Sequence, residues 1–132
     1  MIDFSNEIFT EIFNKVKEVH GENVKVVGEH VDVPDSFPCV TVDETYNAPF
    51  QLDSGVEKYS AITYRVQVFS NKKAGKRAEA REIYKTVSDL LFGLNLVAKT
   101  YRSTPDMYNS NIYEIQGTFE GAIDRNGVIY RR

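Results

Sequence analysis

"YSAITYRVQVFSNKKAGKRAEAREIYKTV", residues 59–87, decides the fold. Its first part alternates. Ile62, Tyr64, Val66 and Val68 share one face of an extended chain, and Thr63, Arg65 and Gln67 share the other, because successive side chains on a strand point to opposite sides. After Ser70-Asn71 the period changes. From about residue 75 to 93, Ala80, Ile83, Tyr84, Val87, Leu90, Leu91 and Leu94 recur at helical spacing and predict one buried stripe. An alternating strand that turns into an amphipathic helix predicts a helix packed on a sheet. Lys72, Lys73, Lys76, Arg77, Arg81 and Lys85 lie in the approach to this helix and on its other faces.

Working outward, residues 5–20 read as a first helix with Ile8, Phe9, Ile12, Phe13, Val16 and Val19 at helical spacing. Asp3 or Ser5 can cap its start, and His20-Gly21 can end it. Strands are predicted at 24–31 and 39–46, with Pro34 and Pro38 framing the connection because neither can donate to a ladder. Val40 and Val42 share one face of the second strand, and Thr41 and Asp43 the other. Beyond the second helix, closed by Gly93, strands are predicted at 96–102 and 112–124, with a polar loop through Pro105 and 109–111 between them. Asn126-Gly127 signals a two-residue hairpin that sets Ile123 opposite Tyr130. The order α-β-β-β-α-β-β-β predicts a single α+β domain over 1–132, with two helices on one face of a mostly antiparallel sheet. Gly117 and Gly121, on the core side of their strand, suggest a closely packed helix. The other sheet face is expected to be polar, either solvated or held against a partner. The open edges, the "IYRR" hairpin among them, are expected to need protection.

One connection is too long for its task. "NAPFQLDSGVE", residues 47–57, joins two strands that could turn in a few residues, and it carries Phe50 and Leu52. Either it folds back on its own domain or it is an arm for a neighbouring subunit.

The 132 residues carry a net charge of −3, which argues against a general nucleic-acid binder. The single cysteine, Cys39, excludes an intramolecular disulfide. The start of the chain lacks the basic and apolar regions of a signal peptide. The most apolar window, 90–98, is too short to span a bilayer, so no membrane partner is expected. Gly75-Lys76 resembles the end of a phosphate-binding loop, but Ser70 stands where the first glycine belongs and Arg77 where the hydroxyl belongs. Metalloprotease, paired-cysteine and nucleophile-elbow motifs are missing. A pairing of Cys39 with a histidine is open in sequence, but Cys39 also reads as a small residue at a strand start. His30 and Asp32 could share a strand face with Asp43 or Glu44 around a metal, on scattered ligands only. Asp43 and Glu44 are adjacent and point to opposite faces, which disfavours a joint acid–base pair. No catalytic, cofactor or metal site is expected.

The basic run reads in two ways. It can contact phosphate or an acidic partner through Lys72, Lys73, Lys76, Arg77 and Arg81, or it can be a solvated helix face with Glu79 and Glu82 interleaved as ion-pair partners. A nucleic-acid-binding module using this face is therefore one functional class.

The other class comes from a resemblance. The opening amphipathic helix, "SFPCVTVDE" (36–44), "TYRVQVFSNKKAGKRAEAREI" (63–83) and the terminal "GVIYRR" (127–132) resemble the small tail-terminator, or tail-completion, proteins of long-tailed bacteriophages and prophages, over nearly the whole chain. The resemblance implies an α/β fold and a ring, usually hexameric, at the head-proximal end of the tail tube. Such a ring ends tube polymerisation and joins the tail to the head. It implies a homo-oligomer in the virion, assembled in the host bacterial cytoplasm, with the tail tube protein and a head–tail connector protein as partners. DNA would pass through the bore, and there would be no cofactor and no enzymatic activity. Another neck component is the near alternative. No motif of the family carries residue roles, so Phe50, Leu52 and the five basic residues stand as interface candidates on physical grounds alone.

Overall fold

Ile8, Ile12 and Val16, four residues apart, are buried along one stripe of α1 (Ser5–His20). Phe13 and Val19 are exposed, contrary to expectation. The stripe facing the sheet is narrower than the sequence pattern, and Phe13 lies at its margin, tilted on Phe9 and under the Lys17 ammonium, 5.3 Å from the ring centre. Ala80, Ile83, Tyr84, Val87 and Leu91 are buried along α2 (Lys76–Gly93), as the spacing predicts.

The structure, a computed structural model, describes residues 1–53, 56–107 and 109–131, with the side chains of 51–53, 56 and 57 excepted. Its strands are β1 (Lys25–Val27), β2 (Cys39–Asp53), β3 (Val56–Ser70), β4 (Val97–Pro105), β5 (Tyr113–Asp124) and β6 (Ile129–Tyr130). The chain order is α-β-β-β-α-β-β-β, and the fold is α+β. The strands form a six-stranded sheet in the order β1-β2-β3-β5-β4, with β6 also beside β5. Only β1 runs parallel to its neighbour; the other pairings are antiparallel. Both helices contribute to one core with Val40, Val42, Ile62, Tyr64, Val66, Val68, Ile115 and Phe119.

Of the two glycines of β5, Gly117 meets a helix as expected, whereas Gly121 is packed by Leu96 and Ile129, which lie outside both helices. A Cβ on Gly117 would stand 1.9 Å from the Tyr84 hydroxyl of α2, and one on Gly121 would stand 2.9 Å from Leu96. These positions leave no room for a side chain.

Four expectations need correction. First, the strand predicted over 24–31 pairs only at 25–27. The chain then crosses to the far side of the sheet, where Val31 and Phe37 pack on Cys39, Phe69 and Ile112 in a second apolar cluster. That end of the outer face is therefore covered rather than polar. Second, 47–53 and 56–57 belong to strands rather than to a loop, and 54–55 lie outside the described residues. β2 and β3 stay paired out to Asp53 and Val56, with register shifts after Glu44 and around Gln51. Such bulges absorb residues that break the alternation. Third, the strand predicted over 96–102 runs on to Pro105, which pairs with Tyr113 instead of lying in the loop, whereas α2 ends at Gly93 as expected. Fourth, the last hairpin is one residue longer at its turn. The Gly127 N–H donates to the Asp124 carbonyl, and Gly127 takes φ 83°. This is the three-residue loop with a left-handed glycine, not the two-residue turn. Ile123 thus pairs with Ile129 and Tyr130 with Ala122, which turns Tyr130 to the outer face.

Candidate interaction surfaces

Two surfaces hold the residues singled out in the sequence, and they lie at opposite ends of the β2–β3 hairpin. At the Ser70 end, Gly75 takes φ 86° and lets the chain turn into α2. Lys76 and Arg77 follow in the first helical turn, where the dipole disfavours cations. The Glu79 carboxylate, which the sequence offers as their partner, instead accepts a hydrogen bond from the Ser70 hydroxyl at 2.7 Å. Among the described residues no ion pair engages Lys72, Lys73, Lys76, Arg77 or Arg81, nor Glu82. Lys72 nevertheless lines an open groove with Glu79 and Glu82 of α2.

The structure also divides the run. Lys72, Lys73 and Lys76 line one open groove of about 460 Å³ with Asn71, above Phe37 and Ile112. Arg81 lies with Lys85, Tyr84 and Tyr101 along another, of about 370 Å³. Arg77 is exposed and lines neither. The contribution of Phe37 was not legible in the sequence, because it depends on the crossing of 28–38 to the far side.

At the other end, the outer sheet face carries an aromatic row. Phe50 is 50% exposed and stacks on Tyr59 with ring centres 5.6 Å apart. Tyr59 meets Tyr130 edge-on at 5.8 Å, and the Lys58 ammonium sits 5.5 Å from the Tyr59 ring centre. The Tyr130 hydroxyl donates to Asp124 at 3.1 Å, which lifts the Tyr130 pKa above its ordinary value. Tyr46, paired with Thr63, is 54% exposed on the same face. The side chain of Leu52 lies outside the described residues. Sequence reading found Phe50 but missed Tyr59 and Tyr130, since the expected register puts Tyr130 on the core side.

Between these ends the outer face is polar and internally bonded. Thr41 donates to the Gln67 side-chain oxygen at 2.6 Å, and the Gln67 amide donates to Glu114 at 3.0 Å and to the Val31 carbonyl at 3.2 Å. Arg65 pairs with Asp43 at 2.9 Å. On the opposite face, Glu44 accepts from the Tyr64 hydroxyl at 2.6 Å and from Asn47 at 2.9 Å. Burial, reinforced by this carboxylate, pushes the Tyr64 pKa far up.

The reactive-residue candidates are dispersed. Cys39 is buried, and burial pushes its thiol up to about 11. His20 shares a hydrogen bond with Thr86 at 2.7 Å, and His30 lies 3.4 Å from Asp32. Asp43 and Glu44, either of which the sequence offers beside His30 and Asp32 as a metal ligand, are engaged by Arg65 and Tyr64. No group of three or more such ligands forms among the described residues. Nor is any helix among them long and apolar enough to cross a membrane.

This architecture recurs in a solved particle. A chain of the virion of the native gene transfer agent particle superposes on it with a TM-score of 0.66, over 92% of this chain and 94% of that one, at 13% identity. The two chains share a fold. The bacteriophage SPP1 gp17 protein also aligns, over 86% of this chain and 89% of its own at 21% identity, but its TM-score of 0.39 carries no weight. No protein-family model matches the sequence, and no curated protein sequence does.

Proposed function

We propose that this chain is a structural protein of a phage-like particle, assembling as a hexameric ring at the head-proximal end of the tail tube. There it ends tube polymerisation and offers its outer side to the head connector, while DNA passes through the bore. It acts by assembly, not by catalysis. The observation that carries this reading is the full-length fold shared with a chain of a gene transfer agent virion. The two unbalanced surfaces add to it. An aromatic row and an uncompensated basic groove at opposite ends of one hairpin suit head-to-tail contacts, which close into rings when the rotation permits. Phe50, Lys72, Lys73, Lys76, Arg77 and Arg81 are the contact residues in this reading, with Leu52 included on its sequence position.

Reconstruction of the tail end of particles containing this chain tests it. Several copies in a ring at the junction of tube and head are expected; a lone copy, or a position away from that junction, contradicts it. A second reading, a nucleic-acid-binding module, is favoured by the three lysines, which form no ion pair among the described residues. Strongly salt-dependent binding of duplex DNA by the free protein would support that reading instead.

A further inference from the structure

β4 is an edge strand, and its backbone is half used. Val97 to Pro105 pair with β5 from Glu120 to Tyr113, and among the described residues nothing pairs with the other edge. Isolated domains blunt such edges with bulges, prolines and charges. β4 has these devices mainly at its ends: a register shift around Lys99 at one end and Pro105 at the other. Between them, Thr100 to Thr104 keep a regular register with Thr118 to Glu114. Two threonines and a tyrosine suit this stretch to extended pairing. The one charge in it, Arg102, is turned onto Glu114 and Gln116 of β5, at 3.4 and 3.3 Å. The main chain of residues 100–104 is therefore a short open template for one more strand.

The flank of that edge has a definite chemistry. On the helix side of the sheet, Arg81, Lys85 and Ser88 of α2 line an open groove of about 370 Å³ with Glu82, Tyr84 and Tyr101. Tyr101 is 57% exposed and meets Tyr84 edge-on at 5.5 Å. It belongs to β4 itself, so the groove lies alongside the open edge. Two cations face one anion there, and among the described residues no ion pair engages any of the three. Lys99 adds an exposed cation at the register shift. A strand laid on this edge turns every second side chain toward Tyr101, Arg81 and Lys85. Carboxylates on that side of the strand would match them.

From the open edge and its basic flank together, we propose that β4 captures an extended, acidic segment of another protein by strand addition. Backbone bonds to residues 100–104 hold the segment, and Arg81 and Lys85 select its carboxylates. The inference goes beyond the ring proposed above and does not depend on it. An open backbone ladder selects polypeptide over nucleic acid, because a sugar-phosphate chain cannot continue it. A second copy of this chain fits less well. β4 against β4 would bring Lys99 and Arg102 of both copies together, and like charges opposite one another destabilise a strand pair. The acidic strand of this chain, β2, has its carboxylates engaged within its own fold, Asp43 by Arg65 and Glu44 by Tyr64.

A synthetic peptide provides the test: acetyl-Thr-Glu-Val-Glu-Val-Glu-Thr-amide, whose glutamates share one face when extended. One control peptide has lysine in place of each glutamate. A second keeps the glutamates but has proline in place of each valine, which removes donors to a ladder. Binding to the whole protein is followed by amide chemical shifts and by hydrogen exchange. The glutamate peptide should slow exchange at amides within residues 100–104. Both control peptides should bind at least about tenfold more weakly. Arg81→Glu combined with Lys85→Glu, checked for folding by its melting curve, should lose the glutamate peptide by a similar factor and gain the lysine peptide. If that variant does not fold, the control peptides on wild type decide. A glutamate peptide that does not bind, or binds without protecting β4, overturns the proposal. Equal binding of the proline peptide leaves only charge attraction and overturns strand addition. Equal binding of the lysine peptide overturns the selection of acids. Self-association that protects residues 100–104 without peptide assigns the edge to a second copy. Duplex DNA that shifts the Arg81 and Lys85 signals, where the peptide does not, assigns the groove to nucleic acid. Either result overturns the proposal, and all of them leave the ring to be judged on assembled particles.

Discussion

Near Cys39 and Phe69, β2 and β3 are covered on both faces: α1 and α2 with the main core on one, and Val31 and Phe37 with Ile112 on the other. Near Phe50 and Tyr59 the same two strands carry an aromatic row in which Phe50 stays half open. One hairpin thus serves two purposes. Its proximal part is held by burial, at about 1.5–3 kcal/mol for each large apolar side chain removed from water. Its distal part keeps apolar surface that folding does not use. On the proposed reading one end serves stability and the other association, and substitutions at each end can separate the two.

The largest effect on stability should come from the proximal outer cluster. Phe69 is fully buried, and Phe69→Ala should cost about 3–5 kcal/mol. That corresponds to a fall in Tm of roughly 10–20 °C for a domain of this size. A fall below about 5 °C would mean that the crossing segment contributes little and that the two ends are more alike than their burial indicates. Gly117→Ala should come next, at about 1–3 kcal/mol, because the new methyl meets Tyr84. Tyr84→Phe removes the nearest atom, so the same alanine should cost less in that background. Equal costs in both backgrounds would place the strain elsewhere.

The proximal end was largely legible in sequence because its periods are clean. Ile62, Tyr64, Val66 and Val68 alternate without a break, and Ala80 to Leu91 keep helical spacing, so both faces of the main core follow from residue order. The distal end was not legible as structure. "NAP" at 47–49 reads as a turn, yet the pairing continues through it, with Asn47 opposite Ile62 and Pro49 opposite Ser60. Bulges re-phase a strand at places that composition does not mark. The second cluster was hidden for a different reason. Phe37 and Phe69 meet only because the chain crosses to the far side of the sheet after Val27. The lysine groove inherits that limit: its basic residues were visible, its floor was not. The aromatic row was obscured by one residue in the Asp124–Val128 turn, since a two-residue loop would have turned Tyr130 inward.

That turn offers a smaller and pH-dependent effect. Asp124 accepts backbone N–H bonds from Val128 at 3.0 Å and Asn126 at 2.8 Å. These bonds, that of Val128 first, lower its carboxyl below the ordinary value of 3.8. A carboxylate with a depressed folded-state pKa stabilises the fold above the unfolded value, and the benefit fades as pH falls through the folded value. Asp124→Asn should therefore lower Tm slightly at neutral pH, and the difference from wild type should shrink below pH 3.8. A difference that grows with acid would assign the turn's stability to another group.

The smallest change in monomer stability should come from the distal end. Phe50→Ser combined with Leu52→Ser should move the monomer Tm by only a few degrees, because Phe50 is already half in water. The same pair should weaken assembly clearly in a sedimentation or tail-attachment assay. A large fall in monomer Tm would show that the hairpin is held by its own domain and not kept for a neighbour.

The central claim is that copies of this chain join head to tail through the distal hairpin, and a reconstruction of the tail's head-proximal end at side-chain resolution tests it most directly. The account predicts a ring in which the Phe50, Tyr59 and Tyr130 end of each copy lies against the next copy. A ring whose hairpins touch only their own domains, or a single copy at the junction, would contradict it.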